Sequence, residues 1–169
     1  MILARSKVKY YGAYPAGFLS RARDLLGVGL DDAILHVCGG HVRLYPFRGL
    51  GPNDCTLDID RATAPDFAQD ARAPFPLRAD GTEWAAVLAD PPYTPDDAAK
   101  YAAGADVLPT ARRLLLNGLD VVRVGGKVGL LHYVAPRPPK TGARFCGLYT
   151  VFVGFENRAR LFSVYERTT

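Results

Sequence analysis

The apolar run Trp84-Ala85-Ala86-Val87-Leu88-Ala89 stops at Asp90-Pro91-Pro92-Tyr93. Successive prolines can neither continue a helix nor donate to a sheet ladder, so a strand must end there. The stop is rigid and holds a carboxylate, backbone carbonyls and an aromatic ring close together. Asp-Pro and Pro-Pro are also common turn formers. Any chemistry at this point must therefore be read together with its surroundings.

Apolar runs and helical patterns alternate around that strand. Ala33 to Cys38 is a short buried run ending in Gly39-Gly40, and Cys55 to Asp60 is a second strand. Phe18, Leu19, Ala22, Leu25 and Leu26 recur at helical spacing, and Gly27 is the stop. A helix is expected over Pro95 to Ala103 and another from about Leu108 to Val122, after which Gly125-Gly126 introduces a strand from Lys127 to Val134. Tyr149 to Val153 and Arg160 to Tyr165 flank Glu156-Asn157-Arg158 as a closing hairpin. Pro136 to Gly142 is the clear loop tract. This order predicts an α/β fold, with an open, mostly parallel sheet and an antiparallel edge.

Composition adds boundaries. At 169 residues, 49% hydrophobic and 22% charged, residues 1–169 read as one globular domain. No apolar run approaches the roughly 20 residues needed to span a bilayer, and no signal core follows the N-terminus. Cys38, Cys55 and Cys146 lack metal-ligand spacing and read as reduced thiols of a cytoplasmic protein. The three histidines form no ligand cluster, so no metal is expected. A formal charge of +4 permits a nucleic-acid partner without demanding one.

In an open α/β sheet ligands gather at the carboxyl ends of the strands. Gly39 and Gly40 would let backbone approach a ligand there. Asp58 lies 18 positions beyond Gly40, the distance at which nucleotide-binding folds place an acid for ribose hydroxyls. Asp70 follows after 12 positions and Asp90 after a further 20.

This ordered series resembles the class I S-adenosylmethionine-dependent methyltransferases, over nearly the whole chain. Asp90 to Tyr93 is similar to the catalytic motif of the amino-methyltransferases that act on adenine N6 or cytosine N4 in DNA. The resemblance implies a Rossmann-like sheet of seven strands, the last antiparallel and inserted beside the fifth. It implies S-adenosyl-L-methionine as cofactor, with Tyr14 and Pro15 in an N-terminal cofactor element. His36, Cys38, Gly39 and Gly40 would form the first motif, Asp58 and Ile59 the second, Asp70 and Ala71 the adenine contact, and Asp90 would also border the cofactor. The family's first motif usually opens with an acid and carries a second glycine two places after the first. Here His36 stands at the acid position, and His41-Val42 follow Gly40.

Under that resemblance Asp90 and the Pro91 carbonyl would accept hydrogen bonds from an exocyclic amine, and Tyr93 would stack on its flipped-out base. Asp rather than Ser at the first motif position leans toward adenine N6 in DNA. The alternatives are guanine N2 in ribosomal RNA, and a non-catalytic methyltransferase-like binding subunit. No separate recognition domain is expected, so recognition falls to short loops, a homodimer or a partner subunit. Arg137, Lys140 and Arg144, in the tract from Ala135 to Arg144, are the expected phosphate contacts. Arg5, Lys7 and Lys9 read as a basic flexible end.

Overall fold

In the computed structural model, residues 1–3, 14–44, 49–99, 108–153 and 159–169 are described. The elements in chain order are β1 (Ile2–Leu3), α1 (Phe18–Leu26), β2 (Ile34–Val37), β3 (Cys55–Asp58), β4 (Phe67–Ala68), β5 (Trp84–Ala89), α2 (Pro95–Ala98), α3 (Ala111–Val121), β6 (Val122–His132), β7 (Ala143–Val153) and β8 (Arg160–Arg167). The basic cluster Arg5, Lys7 and Lys9, the hairpin tip 156–158 and the expected helical residues 100–103 lie outside the described residues.

Neighbouring residues of the central strands face opposite sides, and both sides are apolar. Ile34, Leu88, Leu131 and Phe162 pack on Phe18, Leu19, Ala22 and Leu26 of α1. Leu35, Val87, Leu130 and Tyr165 pack on Leu114 and Leu115 of α3 with Trp84 and Leu57. Such continuous apolar runs are what a sheet covered on both faces requires.

The described strands form one eight-stranded sheet, in the order β1-β7-β8-β6-β5-β2-β3-β4. β8 runs antiparallel between β6 and β7, while β2 to β6 pair in parallel. The expected seven-stranded pattern is thus present, with the antiparallel strand beside the fifth of that set. The additional strand is β1, two residues long, pairing in parallel with β7 at the edge. Both β1 and β4 are too short to leave a periodic signal in sequence.

Element boundaries differ from expectation at β6, at α3 and at β7, which begins at Ala143 rather than Tyr149. The strand assigned to Lys127–Val134 begins at Val122, directly after α3. Trp84 pairs with Val122 and Ala86 with Lys127, so residues 123–126 bulge out of the ladder. The glycine pair marks that bulge rather than a strand start, with Gly125 at φ +79°. α3 itself begins at Ala111, where Thr110 accepts a hydrogen bond from the Arg113 N–H.

α1 is tied to the sheet by a buried ionic cluster. Arg23 and Asp54 are 4% and 3% exposed, and Arg23 Nη2 donates to both Asp54 oxygens at 2.6 and 2.5 Å. Asp54 also accepts from the backbone N–H groups of Ile34 and Gly51, at 3.0 and 2.8 Å, and sits 3.1 Å from His36 Nε2. Arg23 Nε donates to the Gly49 carbonyl at 2.6 Å, and Nη1 to the Gly29 and Asp32 carbonyls. A Cβ on Gly51 would stand 2.2 Å from the Leu30 carbonyl oxygen and 2.6 Å from Arg23 Nη2. Only glycine allows that approach.

Candidate functional site

The parallel strands all release their chains at one edge, and the acids singled out in the sequence converge there. Backbone bonds hold the strand ends in register. Asp90 N–H donates to the Val37 carbonyl at 3.2 Å, Cys38 N–H to Leu57 at 2.8 Å, and Gln69 N–H to Asp58 at 2.9 Å. Cys38 is forced to φ +56°, an uncommon conformation for a residue with a side chain, and Gly40 follows at +50°. A Cβ on Gly40 would meet nothing within 4 Å, so this turn borders open space.

Asp58 fastens the turn: one oxygen accepts from Gly40 N–H and the other from Asp60 N–H, both at 2.9 Å. Burial pushes the Cys38 thiol well above its ordinary pKa, and Asp58, Asp90 and Asp70 push it further in that order. The thiol is therefore neutral, and three carboxylates act on one small volume. Beside them Ile59 is 41% exposed, an apolar surface next to the acid of β3.

Asp70 is partly committed elsewhere. Arg72 donates to it from Nε at 2.8 Å, from Nη2 at 2.6 Å and from its backbone N–H at 2.8 Å. That pairing with Arg72 holds the carboxyl below its usual range. The turn carrying Asp70 rests on α3: buried Asn117 donates to the Ala71 and Ala73 carbonyls at 3.3 and 2.7 Å, and Arg113 Nε to Arg72 at 3.0 Å.

Asp90 is shifted the opposite way from Asp70. Burial pushes it up to about 6, against the opposing pull of the Arg160 guanidinium and of a hydrogen bond from Tyr93. The Tyr93 hydroxyl donates to Asp90 Oδ1. Burial first, and Asp90 second, keep that phenol protonated far above neutrality. The Tyr93 ring packs against Tyr133, with centroids 4.6 Å apart, and edge-on against His132 at 5.3 Å. The Arg160 guanidinium carbon lies 5.7 Å from the Tyr93 ring centroid.

Tyr93, expected to stack on a base, donates its hydroxyl to Asp90 and packs its ring in an aromatic cluster. The physical reason is the desolvated carboxylate, which draws the nearest hydroxyl donor. Tyr14 is buried and stacks on Phe18 at 5.3 Å, and the Pro15 carbonyl accepts from Phe18 N–H at the start of α1.

Three expected site residues have side chains placed away from the Asp90 edge. His36 is 0% exposed, and its imidazole is taken up by Asp54 beneath the sheet, so that side chain cannot reach a ligand. Arg144 lies on β7, paired with Glu166 at 2.9 Å. Glu166 in turn sits opposite Lys127 near the start of β6, which is the end of the sheet away from Asp90. The loop after β6 has to cross the whole sheet because β7 runs parallel to β6. Lys140 is exposed just before Gly142, whose carbonyl accepts from Thr168 N–H at that same far end. Of the three basic residues, only Arg137 borders the Asp90 edge, where Arg112 Nη1 donates to its carbonyl at 3.2 Å.

Arg160 is the residue that sequence reading passed over, as a polar member of the closing hairpin. One signal could have found it. An antiparallel strand enters a sheet at the edge where its parallel neighbours leave, so the first residue of β8 belongs to the ligand edge. Among the described residues no group of three His, Cys, Asp or Glu is arranged to hold a metal ion. No described helix is long and apolar enough to cross a membrane.

No family model and no curated protein matches this chain. Solved structures do. TrmN from Thermus thermophilus superposes with a TM-score of 0.61 at 19% identity, over 93% of this chain and 50% of that protein. This chain therefore spans about half the length of that relative. An rRNA methylase from Streptococcus thermophilus gives 0.52 at 13% identity, over 93% of this chain and 100% of that one. A protein from Streptococcus mutans assigned as a methyltransferase, solved in complex with SAH, gives 0.53 at 11% identity, over 88% of this chain and 97% of that one. At these identities the likeness establishes the fold: a mixed α/β sheet, mostly parallel, with an antiparallel hairpin, as in those methyltransferase structures.

Proposed function

We propose that this chain is an S-adenosylmethionine-dependent methyltransferase acting on an exocyclic amine of a nucleic-acid base. The observation that carries the reading is Asp90, a carboxylate at the end of β5 with a pKa pushed to about 6, beside the turn fastened by Asp58. The cofactor fits the chemistry of that edge. Three acids suit a ligand bearing a sulfonium and an ammonium, the open space over Gly40 admits a chain, and exposed Ile59 offers an apolar face to a purine. Asp58 would take the ribose hydroxyls with its remaining lone pairs. Asp70 would have to share its carboxylate with Arg72 to reach the adenine amine. Tyr14 and Pro15 would close the pocket wall at α1.

When bound, the cofactor supplies an electrophilic methyl group on sulfur, which leaves as a neutral thioether. The residues of the chain act on the other reactant. An aromatic amine has its lone pair delocalised into the ring and attacks poorly. Ionised Asp90, with the Pro91 carbonyl, would accept its N–H bonds and favour a pyramidal nitrogen whose lone pair points at the methyl. The nitrogen gains the carbon, and its surplus proton passes to Asp90 or solvent. The Tyr93 hydroxyl occupies Oδ1 of Asp90, and the other carboxylate oxygen would accept from the amine. Alignment and fixed charge supply the acceleration.

RNA is the favoured substrate class, since structures with this fold include an rRNA methylase from Streptococcus thermophilus. The ribosomal-RNA reading accordingly ranks ahead of adenine N6 in DNA, and guanine N2 is its candidate amine. The deciding experiment incubates the purified chain with methyl-labelled cofactor and total RNA, duplex DNA or free nucleosides, then identifies the labelled base after digestion. Label in an N-methylated base of RNA is the expected result. Label in DNA adenine would restore the first lean, and cofactor binding without transfer to any of the three would make the chain a binding subunit.

A further inference from the structure

A cavity of about 490 Å³ opens beside the catalytic edge, within the roughly 300–1,000 Å³ range of small-ligand sites. Tyr93 forms part of its wall, whereas Asp90 does not line it. The other walls are mostly flat or apolar, including Pro92, Pro136 and the His132 ring, and the lining also carries Thr110 and two cations, Arg112 and Arg137. Among the described residues no carboxylate lines it. Arg112 spends one donor on the Arg137 carbonyl, which draws the loop after β6 against α3 and brings both guanidinium-bearing residues together. The Tyr165 hydroxyl fixes the same loop from β8, donating to the Pro136 carbonyl at 2.6 Å.

We infer that this cavity is a subsite for the nucleotide adjoining the target base in a single strand of nucleic acid, its base against Tyr93, His132 and the prolines and its phosphate between Arg112 and Arg137. The assignment rests on the base-methylation reading and adds a second point of grip to it. Flat aromatic and proline walls accept the face of any base that is free of a duplex. Two arginines along a lining that holds no described carboxylate would select the phosphate that follows such a base. A free nucleoside would lack that grip.

The test is fluorescence anisotropy of a labelled single-stranded RNA of mixed sequence, titrated with the whole chain over a salt series. The R112Q/R137Q double variant should bind roughly tenfold or more weakly, with a log–log salt slope flatter by about 0.7 for each phosphate no longer neutralised. Arg112, Arg137 and Val134 are exposed, so their replacement leaves the core intact. Val134→Glu sets a carboxylate at the mouth and should weaken binding in the same direction. Calorimetric titration of the cofactor should be unchanged in these variants. Wild-type affinity and slope in the double variant would overturn the subsite even if methyl transfer is found, and so would a wild-type chain that fails to bind the RNA. Binding that depends on both arginines, in a protein that transfers no methyl group, would keep the subsite and remove the methylation reading.

Discussion

Two carboxylates of this chain are each set between an arginine and a ring, and they behave in opposite ways. At Asp54, burial disfavours the charge, but hydrogen bonds from His36, Arg23 and Gly51 outweigh it and hold the carboxyl below its ordinary value. At Asp90, burial wins: one tyrosine hydroxyl and a more distant guanidinium leave it near 6. The first acid is saturated with donors and fixes α1 to the sheet. The second is short of donors at the edge where ligands gather. A buried acid whose hydrogen bonds are complete is a structural fastener, whereas one left under-solvated can bind an incoming N–H group.

The sharpest way to break this contrast is Asp54→Ala. It would leave Arg23 charged and buried without its partner, which costs about 3–5 kcal/mol. A fall of about 6–20 °C in melting temperature is expected for a chain of this size. An unchanged melt would show that the cluster is not a fastener.

Asp90→Ala should do the reverse, lowering the turnover number by about 10²–10³-fold, the cost of removing one fixed transition-state hydrogen bond. Cofactor affinity should stay close to wild type by calorimetry. Asp90→Asn should also melt about 1 kcal/mol more stable, because the neutral amide removes a desolvated charge.

The pH responses carry opposite signs. Asp54 is depressed, so its contribution to stability is complete above the ordinary value of 3.8 and is lost as pH falls through its lower native pKa. Asp90 is raised, so its ionisation opposes folding progressively as pH rises from 3.8 to about 6. For the reaction, kcat/KM should rise with pH through about 6 as the acceptor form of Asp90 appears. A profile flat across that interval would remove Asp90 from the chemistry.

The smallest expected effect concerns Arg160, which acts through Asp90. Arg160→Gln should move that acidic limb upward by about one pH unit, since a nearby cation favours the ionised acid. Arg160→Lys should restore it in part. A merely structural arginine would alter stability without displacing the limb.

The sheet was legible because its physics is local. Apolar runs of strand length, a helical stripe over Phe18 to Leu26 and a double proline after Ala89 each state a conformation without help from distant residues. Asp58, Asp70 and Asp90 were legible as a series, since a parallel sheet presents every strand end at one edge. His36 could be read as a buried, hydrogen-bonded histidine, but its partner could not, because alternation along a strand does not say what awaits an inward side chain. Its partner Asp54 comes from a separate loop.

Lys140 and Arg144 were misplaced for a related reason. Proximity in sequence to the end of β6 says nothing of where a crossing loop arrives, and Arg144 pairs with Glu166 at the opposite edge. Sequence by itself determined the alternation of strands and helices, the rigid stop at Asp90 and the order of acids along the chain. Tertiary structure alone decided which acid would be satisfied and which left wanting. Desolvation and hydrogen-bond donors depend on neighbours brought from α1, β8 and distant loops, and no local pattern records their arrival.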